Sequence, residues 1–266
     1  MLGRASSLVS KGDKKYSVFV TLGILSILVI FATACVETQP MNPSQPTAIW
    51  HDYTFSYEPP STAPPASVKI TLAIVAPSYP DGTQYVNRDY KKVSQGWAKS
   101  FATDLDKIIV AKGMTVTGNF ESLDLMTYPD KKNANLSLTP EFVVTQETHK
   151  GHPMLKGGKV VTPVEVHLNG TVRLIMREPL SSEKIWIKSI PVDNLTEKSE
   201  IVQDAVFTGS GVIPGEITYN GAEDAVANMI KRLYPSMMDT VWRYLDVQEI
   251  TILKEKAAEV RKLKRY

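Results

Sequence analysis

The chain has 266 residues, a formal charge of +2, 43% hydrophobic residues and one cysteine. A near-neutral balance makes no electrostatic case for nucleic acid, which needs a clustered basic face. One thiol excludes an internal disulfide framework and a Cys-rich zinc site, while this length buries an adequate core without such staples.

The first informative segment runs to Cys35. Arg4, Lys11, Lys14 and Lys15 precede an apolar stretch from Val18 to Ala34, and the sole cysteine follows the small residues Ala32, Thr33 and Ala34. This is the layout of a lipoprotein signal peptide over 1–34, with Cys35 carrying diacylglycerol and palmitate after cleavage. An uncleaved membrane anchor is the alternative, because the stretch is close to the shortest that spans hydrocarbon. Val36, where an Asp would favour the inner membrane, points to the outer membrane on either face. Removing 1–34 deletes four basic and one acidic group, leaving about −1.

Residues 35–67 form a Pro-rich tether, with Pro40, Pro43, Pro46, Pro59, Pro60, Pro64 and Pro65 resisting helix and sheet. Inside it Trp50, Tyr53, Phe55 and Tyr57 alternate with polar residues. They read either as a docking peptide for a partner or as a segment packed on its own domain.

A mixed α/β domain is expected over 68–246. Val68 to Ala76 reads as a strand apolar on both faces, stopped by Pro77. A helix from Asn87 to Lys112 follows, with Val93, Trp97, Phe101, Leu105 and Ile108 as its inner stripe and Gly113 just past its end. Met114 to Phe120 is a second strand, which completes a βαβ unit. Antiparallel hairpins come next: a weak strand over Glu141–Thr145, then Val160–Leu168 and Thr171–Arg177 turning at Asn169-Gly170. A turn at Glu178–Ser182 returns through Lys184–Val192, and the glycines of Ser199–Gly221 predict a long loop. Helix resumes at Ala222, and because Pro235 interrupts it a kink or break is expected near Tyr234. A helical tail over 247–266 carries Ile250, Leu253, Ala257 and Val260, then a frayed basic end. The fold class is α+β or α/β: one mixed sheet, a long helix on one face, and C-terminal helices.

No catalytic constellation, cofactor motif or metal set emerges. His149 and His152 share a stretch with Gly151 and Pro153, which reads as loop. Gly209-Ser210-Gly211 lacks the flanking glycines of a nucleophile elbow and the spacing of a dinucleotide loop. His167 reads as a cross-strand contact. Asp104 and Asp106, two apart on a helix, point in different directions.

Four stretches resemble the neuraminyllactose-binding haemagglutinin family of outer-membrane lipoproteins, the Helicobacter adhesin-like group. They are Ile74-Val75-Ala76-Pro77, Ala111–Val116, Leu174–Ser182 and Ala222–Ile230. The resemblance implies a small envelope α/β domain that binds sialylated glycan. The family's basic Lys-Arg-Thr run has no counterpart, because the corresponding region reads Glu147-Thr148-His149-Lys150-Gly151-His152-Pro153-Met154. The expectation is a non-enzymatic outer-membrane lipoprotein that is a structural or docking part of an envelope assembly, such as a secretion or flagellar apparatus. Its partners would be the membrane and other envelope proteins. The alternative is a surface adhesin for host glycan or protein.

Overall fold

β1 (Thr71–Val75) is buried on both faces because different layers meet it on each side. The computed structural model describes residues 53–80 and 90–264, so the expected signal peptide, Cys35, Trp50 and Asn87 lie outside them. β1 pairs in parallel with β2 (Thr115–Phe120), and α1 (Lys91–Ala111) connects the two. The βαβ unit is therefore present. All five residues of the expected inner stripe of α1 are buried, and Gly113 takes φ +77° just past the helix end.

A short 3-10 turn (Leu123–Leu125) and α2 (Tyr128–Asn133) cover the second face of β1, where Ala73, Met126 and Ala134 pack together. α2 starts with a reciprocal capping box between Thr127 and Asp130. β3 (Leu136–Lys150) pairs in parallel with β1 through residues 136–138 and, over 137–150, in antiparallel fashion with residues 164–177 of β5 (Lys159–Arg177). β4 (Met154–Lys156) continues along the same edge of β5. β6 (Lys184–Thr208) and β7 (Gly211–Asn220) complete a seven-stranded sheet of order β2-β1-β3-β5-β6-β7, with β4 on β5.

Three expectations in this region need correction. Asn169-Gly170 is not a hairpin turn, because β5 runs straight through it. The register with β6 shifts there and Gly170 sits at φ +136°. It is a bulge, and a Cβ at Gly170 would lie 2.2 Å from the Val143 carbonyl oxygen. The strand placed over 141–145 extends to fifteen residues. The glycine-containing stretch 199–221 is not a loop: it is the distal half of β6, a turn at Gly209-Ser210, and β7.

α3 (Gly221–Tyr244) runs unbroken through Pro235. Pro235 and Lys231, whose carbonyl loses its amide partner, are both exposed, so the proline lies on the solvent side of the helix. The opposite face, with Met229, Tyr234, Met237, Met238 and Val241, is buried. α4 (Val247–Leu263) is not a free tail. Ile250, Leu253, Ala257 and Val260 join the same core as α1, α3 and the sheet.

The basic end of α4 is docked as well. Arg261 Nε donates to Oε1 of Glu178 at 2.6 Å, and its Nη2 donates to the carbonyls of Ala134 at 2.6 Å and Lys131 at 3.2 Å. Glu178 is fully buried and also accepts from the amides of Leu180 and Ser181. At the centre of the core, Phe142 meets Tyr79, Trp97 and Phe101 with centroids 5.2, 4.6 and 5.4 Å away.

Candidate functional site

Two places gather residues singled out in the sequence. The first is the segment that leads into the domain, which packs from Tyr53 onward rather than from the expected boundary at 68. Tyr53 Oη donates to Asp224 at 2.9 Å, the Phe55 amide donates to Ser100 Oγ at 2.9 Å, and Tyr57 Oη donates to Asp239 at 2.7 Å. Phe55 lies 5.5 Å from the Tyr234 ring, and Tyr234 Oη in turn donates to the buried Asp104 at 2.8 Å. Further along, the Ala63 amide donates to the Ala111 carbonyl at 2.7 Å and the Val68 amide to the Gly113 carbonyl at 2.9 Å.

Small residues on α1 permit this approach. A Cβ on Gly96 would come within 2.1 Å of the Tyr53 carbonyl oxygen. Burial, with the aspartate hydrogen bonds adding to it, pushes the Tyr53, Tyr57 and Tyr234 phenols above their usual range, so all three stay protonated donors. Of the four residues assigned to partner docking, Tyr53, Phe55 and Tyr57 are thus held by the chain's own helices. Trp50 lies outside the described residues.

The second place is the sheet face turned away from α1 and α3. Strand register sets His149 of β3 opposite Glu165 of β5, and Glu165 opposite Lys198 of β6. His149 stands edge-on to His167 with ring centroids 5.0 Å apart. Glu165 lies 3.3 Å from His167 Nε2 and 4.0 Å from Lys198 Nζ, and Thr196 Oγ1 lies 3.0 Å from His167 Nδ1. His167 is thus a cross-strand contact. Beside this row opens a pocket of about 390 Å³, lined by His149, Lys150, Gly151, Pro163, Glu165 and Lys198 among others.

On this face the pocket is bordered by one ammonium group, Lys198, one imidazole, His149, and the Glu165 carboxylate; Lys150, the next residue along β3, alternates to the other face. The described residues hold no group of three His, Cys, Asp or Glu that could bind a metal. Sequence reasoning named His149 but missed Lys198. The pairing depends on β6 running on past Val192, which the glycine-containing stretch after it concealed.

No protein-family model and no curated protein matches the chain. Among solved structures, the chain is similar to a neuraminyllactose-binding hemagglutinin homolog from Helicobacter pylori. The TM-score is 0.52 at 15% identity, over 75% of this chain and 94% of that one. At that identity the likeness is one of fold, and it is distant. A hypothetical protein from Chlamydia trachomatis (TM-score 0.28, 11% identity, 66% of this chain and 98% of that one) and a lipoprotein from Neisseria meningitidis (0.18, 16%, 49% and 84%) overlap too loosely to carry an argument. Among the described residues, no helix is long and apolar enough to cross a membrane.

Proposed function

We propose that this protein is a non-enzymatic lipoprotein, anchored in the outer membrane through Cys35, whose body is a structural or docking component of an envelope assembly of the secretion or flagellar kind. The carrying observation is how the lead-in segment is fastened. Tyr53 and Tyr57 are bonded to α3, and Phe55 to α1. A pull on the anchor, once it has drawn out residues 36–52, would therefore be passed to the helix layer at Tyr53 rather than unravel the segment that follows. Such stiffness suits a part that holds position relative to a membrane.

The test has two arms. Cys35→Ser is expected to abolish incorporation of labelled palmitate and release the protein from envelopes; a wild type that never takes up label ends the anchor reading. Photocrosslinking from positions 149 and 198 in native envelopes is expected to capture defined envelope proteins. Recovery only of an uncrosslinked monomer refutes the assembly role.

A second reading, a surface adhesin, is favoured by one observation. Lys198 stands with His149 at a single pocket, which brings from a distant strand a cation that the linear 147–154 region lacked for a sialic carboxylate. The fold likeness to a hemagglutinin homolog is consistent with it. Binding to a sialoglycan array that disappears in Lys198→Ala, together with protease accessibility on intact cells, would favour adhesion over assembly.

A further inference from the structure

β6 outruns its neighbour. Its last β5 partner is Asp204, opposite Lys159, and from Ala205 to Thr208 it pairs only with β7. These four residues form a two-stranded ribbon projecting about 13 Å at about 3.3 Å per residue. The stretch 205–215, Ala-Val-Phe-Thr-Gly-Ser-Gly-Val-Ile-Pro-Gly, contains no charged residue.

Its apolar side chains occupy both faces. Phe207 pairs with Val212 on one and Val206 with Ile213 on the other. Phe207 is 68% exposed and Ile213 51%. The neighbouring strand β4 adds exposed Met154 and Leu155, with Lys156 beside them. A ribbon apolar on one face would suit a protein groove. One that is apolar on both faces and uncharged to its tip calls for a surrounding apolar medium.

The edge itself discourages strand addition. Pro214 removes an amide from β7, and two register shifts with β6 interrupt the ladder between Val202 and Ala205. Reach favours a membrane. Tyr53 and Tyr219 line one pocket at the foot of the ribbon, and the tip lies about 20 Å beyond Tyr219 at strand spacing. The chain between Cys35 and Tyr53 extends to at most about 60 Å, so a bilayer holding Cys35 is within range of the tip.

We infer that the β6–β7 ribbon, residues 205–214, dips into the surface of a lipid bilayer as a second, non-covalent contact. Lys156 is placed to meet headgroup phosphate as Phe207 and Ile213 enter the acyl boundary. In supplying the bilayer, the inference rests on the anchor at Cys35.

The experiment uses the full chain in vesicles of phosphatidylethanolamine and phosphatidylglycerol, with or without brominated acyl chains. A single environment-sensitive fluorophore is placed at Phe207→Cys, at Ile213→Cys, or at Ile187→Cys on the proximal, exposed part of β6; wild type carried through labelling sets the background. Brominated chains are expected to quench emission from 207 and 213 at least twofold and to leave 187 unchanged. A protein that floats with vesicles but is unquenched at 207 overturns the inference and leaves the anchor intact. Quenching at 207 without acylation of Cys35 supports the ribbon contact and sinks the anchor. A blue-shifted signal that ignores brominated lipid and fades on dilution among vesicles overturns the inference in favour of contact between copies.

Discussion

Removing the guanidinium from Arg261 is expected to be the most damaging single change at the surface-facing end of α4. Arg261→Met keeps most of the apolar stem but deletes the cation bonded to Glu178 at 2.6 Å and the donors to Ala134 and Lys131. Glu178 is 0% exposed, so it would be left as a buried carboxylate held by two backbone amides alone. Breaking a buried pair from one side costs about 3–5 kcal/mol. At about 2–4 °C per kcal/mol for a domain of this size, the midpoint should fall by about 6–20 °C. Near-UV circular dichroism, reporting on Trp97, Trp186 and Trp242, would follow it in the detergent-solubilised full chain.

Glu178→Gln in the Arg261→Met background should cost much less than the two single effects added together. The pH dependence gives an independent check. Burial pushes the Glu178 carboxyl up, but Arg261 and the Ser181 and Leu180 amides outweigh it and hold it below its ordinary value. A folded pKa below the unfolded one means the stabilisation is complete above the unfolded value, near 4.3, and is lost as pH falls through the depressed value. Wild type should lose stability over that acid window, and Glu178→Gln should show a flatter limb. A loss below about 1 kcal/mol for Arg261→Met would refute the reasoning, since it would mean water already solvates the pair.

Two further substitutions probe the other corrected features. Gly170→Ala must place a Cβ 2.2 Å from the Val143 carbonyl oxygen at a φ of +136°. It should cost more than about 2 kcal/mol in urea unfolding, and a midpoint equal to wild type would disprove the bulge. Tyr57→Phe removes a 2.7 Å hydrogen bond to Asp239, worth about 1–2 kcal/mol after discounting for exposure of the carboxylate. It should speed limited proteolysis within residues 53–67; an unchanged cleavage rate would show that this segment is held by other contacts.

What was legible in the sequence was governed by short-range periodicity. The α1 stripe, the doubly buried β1 and the apolar positions of α4 each follow from spacing within a few residues, and all are buried except Val68 and Ala76, the half-buried ends of the expected strand. The misreadings share a physical cause. Asn169-Gly170 carries the dihedral freedom of a hairpin turn, but the same freedom serves a bulge. Only the partners on both sides, Val143–Thr145 of β3 and Val192–Leu195 of β6, decide between the two. Pro235 breaks a helix when the freed carbonyl is buried and is tolerated when it faces water, a distinction that rests on tertiary burial.

The same reasoning explains why the candidate sites were only half visible. Tyr53, Phe55 and Tyr57 stood out because aromatics in a Pro-rich stretch demand a surface. Which surface depended on Gly96 and Ser100, two small residues on a helix otherwise read for its apolar face. Lys198 was hidden by ending the strand at Val192, and Phe207 by treating 199–221 as loop. Glycines in a strand weaken the local signal, yet Gly209 and Gly211 bracket the turn that lets β6 and β7 project beyond the sheet. A stretch that looks flexible when read alone becomes, once paired, a ribbon with Val206, Phe207, Val212 and Ile213 all exposed. Nothing in the described domain covers it, and a single bilayer would serve both the proposed anchor at Cys35 and the proposed ribbon contact.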